Sequence, residues 1–337
     1  MKTVTLGRTG ITVNKNGFGA LPIQRLAEDD AVKLLRQAFE AGINFFDTAR
    51  FYTDSEHKIG KAFKGIREEL YISTKSMALT GEEFTKQLDD SLSELQTDYV
   101  DIMQFHNPPF CPKPDGEDGL WKAMTDAVSA GKVRHIGITN HRMNVAKEAI
   151  ESGIYETLQF PFSYIASAEE VELVRASERA GMGFLCMKGM AGGLIKSGRA
   201  AYAYLAQFPN ALPIWGIQRQ SELEEFLSCN TDDFQQTMTP ELQAVIDADR
   251  KALATDFCRG CGYCMPCPQG ILIKDCARMA LFLQRAPIAE YTTDFWKEEM
   301  HKIEKCTGCG SCAKKCPYGL DTPNLLKENY KAFSGYF

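Results

Sequence analysis

The 337-residue sequence has no excess of basic charge. With 38 Lys+Arg against 44 Asp+Glu it carries a formal net charge of −6, so nothing electrostatic points to nucleic acid or an anionic membrane surface as a partner. It has no apolar run at its start. Arg8 arrives before the core of a secretory leader can form, and none is expected. It has no clean membrane span either. The one long uncharged window, residues 200–218, is interrupted by Gln207, Pro209, Asn210 and Pro213, which leaves little continuous apolar surface. Histidine is scarce, and His57, His135, His141 and His301 have no ligand spacing between them; they read as incidental. No low-complexity tract is present. These absences lead us to expect a cytoplasmic protein. At 44% hydrophobic and 24% charged residues, disorder, collagen and coiled coil are disfavoured. The length suits one large domain and something smaller.

Cysteine is nearly missing from most of the chain. Residues 1–257 hold Cys111, Cys186 and Cys229, and residues 258–337 hold the other nine of twelve. Charge divides at the same place, with +3 in residues 258–337 and −9 in the rest. A cysteine cluster in a chain without a leader indicates metal before disulfides. A boundary is therefore expected near Thr255-Asp256, giving domains 1–254 and 255–337.

The first region alternates short apolar runs with amphipathic stretches. Ala31, Leu34, Leu35, Ala38 and Phe39 recur at helical spacing between Asp29-Asp30 and Gly42. Strand-like runs lie at 17–19, 44–46, 70–73, 100–105, 135–138, 157–160, 183–187 and 213–217. Eight βα units of this size predict an α/β fold, a (β/α)8 TIM barrel. The competing doubly wound sheet lacks its G-x-G-x-x-G turn. Val4-Thr5-Leu6 and Ile11-Thr12-Val13 flank Arg8-Thr9-Gly10 and read as a hairpin. Thr239 and Pro240 open a helix over 240–254, and helical stretches are expected at 276–285 and 293–303.

Barrels of this kind place chemistry at the C-terminal ends of strands. Asp47, Lys75 and His106 close three successive strands, and Tyr52 follows Asp47 by five residues. An acid, an ammonium, an imidazole and a phenol in one mouth suit carbonyl reduction. Hydride addition makes an alkoxide that needs a proton. A lysine cation held by Asp47 is expected to lower the Tyr52 pKa, and His106 to polarise the carbonyl oxygen.

With Phe46-Asp47-Thr48-Ala49-x-x-Tyr52, Ser55-Glu56, Ser73-Thr74-Lys75, Asp98-Tyr99-Val100-Asp101 leading to His106, Gly131-Lys132-Val133-Arg134-x-Ile136-Gly137-Ile138-Thr139-Asn140 and Gln159, the sequence resembles the aldo-keto reductases over residues 1–230. The resemblance implies a nicotinamide cofactor, a small carbonyl or alcohol substrate, and Asp47, Tyr52, Lys75 and His106 as catalytic tetrad. Thr139, Asn140 and Gln159 match residues that hold the carboxamide. Met187, followed by Lys188, stands where many members place a stacking aromatic. Gly19 and the segment from Gly216 through Gln218 to Phe226 match cofactor-binding positions. Glu222 falls where Arg or Gln is common and Phe226 where Asn is common. A carboxylate near the ribose repels a 2′-phosphate, so NAD(H) is preferred over NADP(H), with Arg219 as counterweight.

The second region carries Cys258-x2-Cys261-x2-Cys264-x2-Cys267-Pro268 and Cys306-x2-Cys309-x2-Cys312-x3-Cys316-Pro317. Four cysteines alone suit one structural zinc. Two runs, each ending in Cys-Pro, favour two [4Fe–4S] clusters with crossed last ligands. That assigns Cys258, Cys261, Cys264 and Cys316 to one cluster, and Cys306, Cys309, Cys312 and Cys267 to the other. The long helical spacer predicts a mostly α-helical dicluster ferredoxin-like domain. The combination resembles an aldo-keto reductase subgroup with such a C-terminal domain. Cys186, Cys229 and Cys276 read as core. Lys302, Lys305, Lys314 and Lys315 either offset cluster charge or dock an acidic redox partner, a ferredoxin or flavodoxin. Clusters pass single electrons and nicotinamide passes a pair, so a flavin is a further candidate cofactor. The leading expectation is a carbonyl oxidoreductase with Tyr52 as proton donor and clusters that relay electrons. The alternatives are an ordinary NAD(P)H-dependent reductase with structural clusters, and a nicotinamide or redox sensor without turnover.

Overall fold

The hairpin forms as the alternation of Val4, Leu6, Ile11 and Val13 requires. In the computed structural model, which describes residues 2–231, 238–253, 257–285 and 288–337, β1 (Thr3–Thr5) pairs antiparallel with β2 (Thr12–Asn14). Eight parallel strands follow: β3 (Gly17–Gly19), β4 (Phe45–Asp47), β5 (Tyr71–Ser76), β6 (Val100–His106), β7 (Val133–Thr139), β8 (Thr157–Pro161), β9 (Gly183–Met187) and β10 (Ala211–Gly216). β10 pairs with β3 and closes the barrel. Each expected strand is found, with ends within three residues. At the closing seam a Cβ on Gly19 would stand 2.9 Å from Ile214 Cγ2 and 3.0 Å from Trp215 O, so only glycine fits there.

One helix follows each barrel strand: α1 (Glu28–Glu40), α2 (Ser55–Phe63), α3 (Gly81–Leu95), α4 (Leu120–Ser129), α5 (Met143–Ser152), α6 (Ala168–Arg179), α7 (Gly198–Leu205) and α8 (Gln220–Ser228). α1 buries Ala31, Leu34, Leu35 and Ala38, and Asp29 and Asp30 lie in its first turn, where carboxylates oppose the helix dipole. The uncharged window at 200–218 divides between α7 and β10. Among the described residues no helix is long and apolar enough to cross a membrane.

The hairpin closes one end of the barrel. Val4, Leu6, Ile11 and Val13 share a buried cluster with Phe45, Ile102, Leu185, Leu212 and Ile214 of the barrel strands. Each such side chain is worth about 1.5–3 kcal/mol when buried. At the start of β6, buried Asp101 accepts from Arg67 Nη2 (2.6 Å), Arg134 Nη1 (3.0 Å) and Ile72 N (2.9 Å). Both guanidinium groups cover the Tyr99 ring, at 4.2 and 3.7 Å. Chemistry is left to the opposite end.

By internal contacts the chain forms two units, Met1–Gly189 with Ser197–Val245, and Met190–Lys196 with Ile246–Phe337. The expected boundary at 254/255 lies outside the described residues. α9 (Pro240–Ala252) begins as expected, with Leu242 N donating to Thr239 Oγ1 at 3.3 Å. Then come α10 (Ile273–Cys276), α11 (Met279–Arg285), α12 (Ile288–Tyr291), α13 (Asp294–His301), α14 (Ser311–Lys315) and α15 (Thr322–Phe333). Among the described residues beyond 257 there is no strand, in keeping with a helical module. The single helical stretch expected at 276–285 is broken at Ala277-Arg278. Asn329 of α15 causes the break: it donates to Ala277 O at 3.2 Å and accepts from Ala280 N at 2.8 Å.

Candidate functional site

Three adjacent strand ends bring the expected polar residues together. Asp47 ends β4, Lys75 lies one residue from the end of β5, and His106 ends β6. The Lys75 ammonium donates to Asp47 Oδ2 at 2.7 Å and to the Thr48 carbonyl, and both side chains are buried. Lys75 Nζ also lies 5.2 Å from the centroid of the Tyr52 ring. The Tyr52 and His106 rings stand edge to face, with centroids 6.0 Å apart. The loop after Asp47 is fixed from below. Thr48 Oγ1 and Ser55 Oγ are 2.9 Å apart, and buried Glu56 takes Arg50 Nη1 and Thr74 Oγ1 at 2.6 Å each.

Electrostatics in this mouth differ from the expectation in one respect. Burial, and then the Asp47 carboxylate, push the Tyr52 phenol above its ordinary value; Lys75 does not lower it. The reason is that Asp47 and Thr48 consume the lysine cation. Burial pulls Lys75 down while Asp47 opposes it. Burial, helped by Lys75, lowers His106 to about 3, so its imidazole is neutral at pH 7. His106 Nδ1 is buried and has no partner among the described residues, which suits a site for a polar ligand.

Gln159 donates to Asp47 Oδ2 at 3.2 Å, and Gln104 Nε2 lies 2.7 Å from Gln159 Oε1 and 2.8 Å from Ser73 Oγ. Sequence reasoning missed Gln104. Its inward position on β6, two residues before His106, was the available signal. Thr139 ends β7 and is paired in register with both His106 and Gln159. The Asn140 side chain ties two loops together: Nδ2 donates to Pro108 O, after β6, at 2.9 Å, and Oδ1 accepts from His141 N and Arg142 N of its own loop at 2.9 and 2.8 Å. His141, read as incidental, is buried, and its imidazole is held well below its ordinary value by burial and then by Lys188, His106 and Arg142. Met187 and Lys188 follow at the end of β9. Thr53, Asn107 and Lys188, each just after a candidate residue, are non-glycines at φ of 39°, 54° and 59°, backbone strain of the kind found at functional sites.

At the start of α8, Glu222 Oε2 accepts from Gln218 N at 2.8 Å and Arg219 N at 3.0 Å. Its carboxylate is thus the helix cap. Phe226 lies in the core, stacked on Trp215 at 4.2 Å. Gly216 packs by its Cα against Pro22, where a Cβ would come within 3.1 Å of Cγ.

The cysteines line two pockets. One is lined by Cys258, Cys261, Cys264 and Cys316. The other is lined by Cys264, Cys267, Cys306, Cys309 and Cys312. Cys264 therefore lines both, and the other seven divide between the two pockets. Among the described residues no three His, Cys, Asp or Glu side chains converge as around a single ion. Burial raises Cys258, and Cys261 and Cys316 raise it further; Cys306 and Cys309 act likewise on Cys312. Thiols that oppose one another's ionisation around a cavity fit a cationic iron–sulfur core, which would reverse the sign. Cys264 and Cys312 are buried and Cys309 is exposed. Lys305, Lys314 and Lys315 are exposed, while Lys302 pairs with Glu299. Cys186, Cys229 and Cys276 are buried, as core cysteines should be.

A sequence profile of the Aldo/keto reductase family matches residues 15–200, and one of the 4Fe-4S dicluster domain matches residues 257–321. An L-galactose dehydrogenase of Arabidopsis thaliana is 32% identical over 209 residues, 56% of this chain and 66% of that protein. A 6-dehydroglucose reductase of Novosphingobium aromaticivorans is 35% identical over 158 residues, 40% of this chain and 50% of that protein. The chain thus spans between half and two thirds of these relatives. Among solved structures, an aldo-keto reductase from Bacillus halodurans in its holo form superposes with a TM-score of 0.64 at 22% identity, covering 74% of this chain and 96% of that one. At that identity the likeness is one of fold.

Proposed function

The chain belongs to the aldo/keto reductase family and carries a 4Fe-4S dicluster domain, and from this premise we propose that it interconverts a small carbonyl and its alcohol at the Asp47–Tyr52–Lys75–His106 site. In this reading residues 1–254 form the reductase, and residues 255–337 hold two [4Fe–4S] clusters that relay electrons singly, two for each carbonyl reduced, with a flavin the class of carrier that would pair them. The supporting observation is the buried Lys75–Asp47 pair at 2.7 Å, set against the Tyr52 ring. A bound nicotinamide would supply or accept a hydride, and bound clusters single electrons.

Tyr52 keeps its phenol proton throughout the neutral range, so the donor is always loaded. An alkoxide is a stronger base than a phenolate, so transfer from Tyr52 Oη runs downhill. Lys75, spent on Asp47 and the Thr48 carbonyl, holds the wall of the site against which the Tyr52 ring stands. Neutral His106 aims a hydrogen bond at the carbonyl oxygen. Thr139, Asn140 and Gln159 would hold the carboxamide of a bound nicotinamide and Met187 would pack on its ring, with Gly19, Lys188, Gly216 and Gln218 as the further cofactor-binding residues. The carboxylate capping α8 favours NAD(H) over NADP(H), because a 2′-phosphate at that helix start would meet Glu222. Exposed Cys309, with Lys305, Lys314 and Lys315 nearby in sequence, is the point at which a reduced ferredoxin or flavodoxin delivers electrons. The relatives' names direct the first panel to hydroxylated, sugar-like carbonyls.

Tyr52→Phe tests the reading. It should lower carbonyl turnover by about 10²- to 10⁴-fold with circular dichroism and iron content unchanged. Turnover within twofold of the parent would contradict the assignment.

A further inference from the structure

Arg278 is a buried cation resting on a cysteine loop. It is 7% exposed. Its Nε donates to Lys274 O at 3.0 Å and its Nη1 to Gly192 O at 3.2 Å, while Nη2 lies 3.7 Å from Asp275 Oδ1. The guanidinium packs on Gly260, where a Cβ would stand 2.7 Å from Cζ. Gly260, at φ +63°, lies between Cys258 and Cys261 and donates its N–H to Cys258 Sγ at 3.4 Å. Gly192 belongs to Met190–Lys196, the segment following β9 that is grouped with this unit. One side chain therefore fixes the loop that presents two thiols of one ligand set. The lysines flanking the other set, Lys305, Lys314 and Lys315, are exposed, and water and salt screen them.

A fixed charge in a buried setting acts on a neighbouring charge with little screening. Reduction adds one negative charge to a cluster and its four thiolates, so a buried cation beside it favours the reduced form. We propose that Arg278 makes the two clusters unequal, holding the one in the Cys258, Cys261, Cys264 and Cys316 set at the higher potential. Electrons entering at exposed Cys309 then collect on the Cys258 side. Each transfer moves one electron from a reduced cluster to an oxidised one, with no bond made or broken. The proposal rests on the dicluster reading, which iron content tests separately.

The experiment is an anaerobic potentiometric titration followed by electron paramagnetic resonance. The two signals are assigned by which of them Cys309→Ala alters. Arg278→Gln, with about eight irons retained, should lower the Cys258-side midpoint enough to shift its oxidised-to-reduced ratio about tenfold at fixed potential, ~59 mV for one electron. The other midpoint should stay put, and Arg278→Lys should restore the parent value. Unchanged midpoints in Arg278→Gln would overturn the proposal. If that variant does not hold its iron, Asp275→Asn carries the test, since it removes the opposing carboxylate and keeps the guanidinium. It should raise the same midpoint, and no shift there overturns the proposal equally. A parent protein with far fewer than eight irons contradicts the dicluster reading, and this proposal with it.

Discussion

His106 is neutral because it is buried beside Lys75, and that has consequences for both activity and stability. With its pKa lowered to about 3, the imidazole does not change charge between pH 5 and 8. The kcat profile should therefore show no inflection near 6.5 that His106→Gln removes. Stability behaves differently. Below about pH 6.5 the unfolded chain takes up a proton at this position that the folded chain refuses, so stability falls with pH from there toward 3. His141 acts in the same direction. A urea midpoint lower at pH 5 than at pH 7.5, with a smaller drop in His106→Gln, checks this; equal drops would contradict it. Asp47, Lys75 and His106 were legible in the sequence because each falls at a strand end, where the barrel places chemistry. Gln104 was not, because an inward glutamine on a strand looks like core until its partners are seen. Nor was the direction of the Tyr52 shift, which depends on where the Lys75 charge is spent.

At the scale of elements, β6 is held at its start by Asp101. Asp101→Ala strands Arg67, which is mostly buried, and leaves Ile72 N without its acceptor. The expected cost is about 3 kcal/mol, read as a lower urea midpoint with Tyr52-dependent activity per folded molecule unchanged. A loss below 1 kcal/mol would show that the two arginines repack freely. Strands were readable because buried parallel strands are short apolar runs bounded by turn residues. The break between α10 and α11 was not readable, since Asn329, some fifty residues on, imposes it. Glu222 was read only as a charge near a ribose. Its capping role was hidden because Arg219 stands where a capping box would carry Ser, Thr, Asp or Asn.

For the whole molecule, the segregation of cysteine beyond residue 257 already separated two chemistries, and the cysteines of the two runs line two pockets that share Cys264. Anaerobically purified protein should hold about eight irons and eight acid-labile sulfides per chain; stoichiometric zinc instead would end the ferredoxin reading. The central claim is that electrons carried by these clusters serve carbonyl chemistry at Tyr52. Its most direct test is the anaerobic rate of carbonyl reduction with reduced ferredoxin as sole donor, measured in the parent and in Cys309→Ala with the barrel folded by circular dichroism. The account predicts turnover in the parent and its loss in Cys309→Ala. No ferredoxin-driven turnover in the parent, with NADH-linked turnover equal in both proteins, would contradict it.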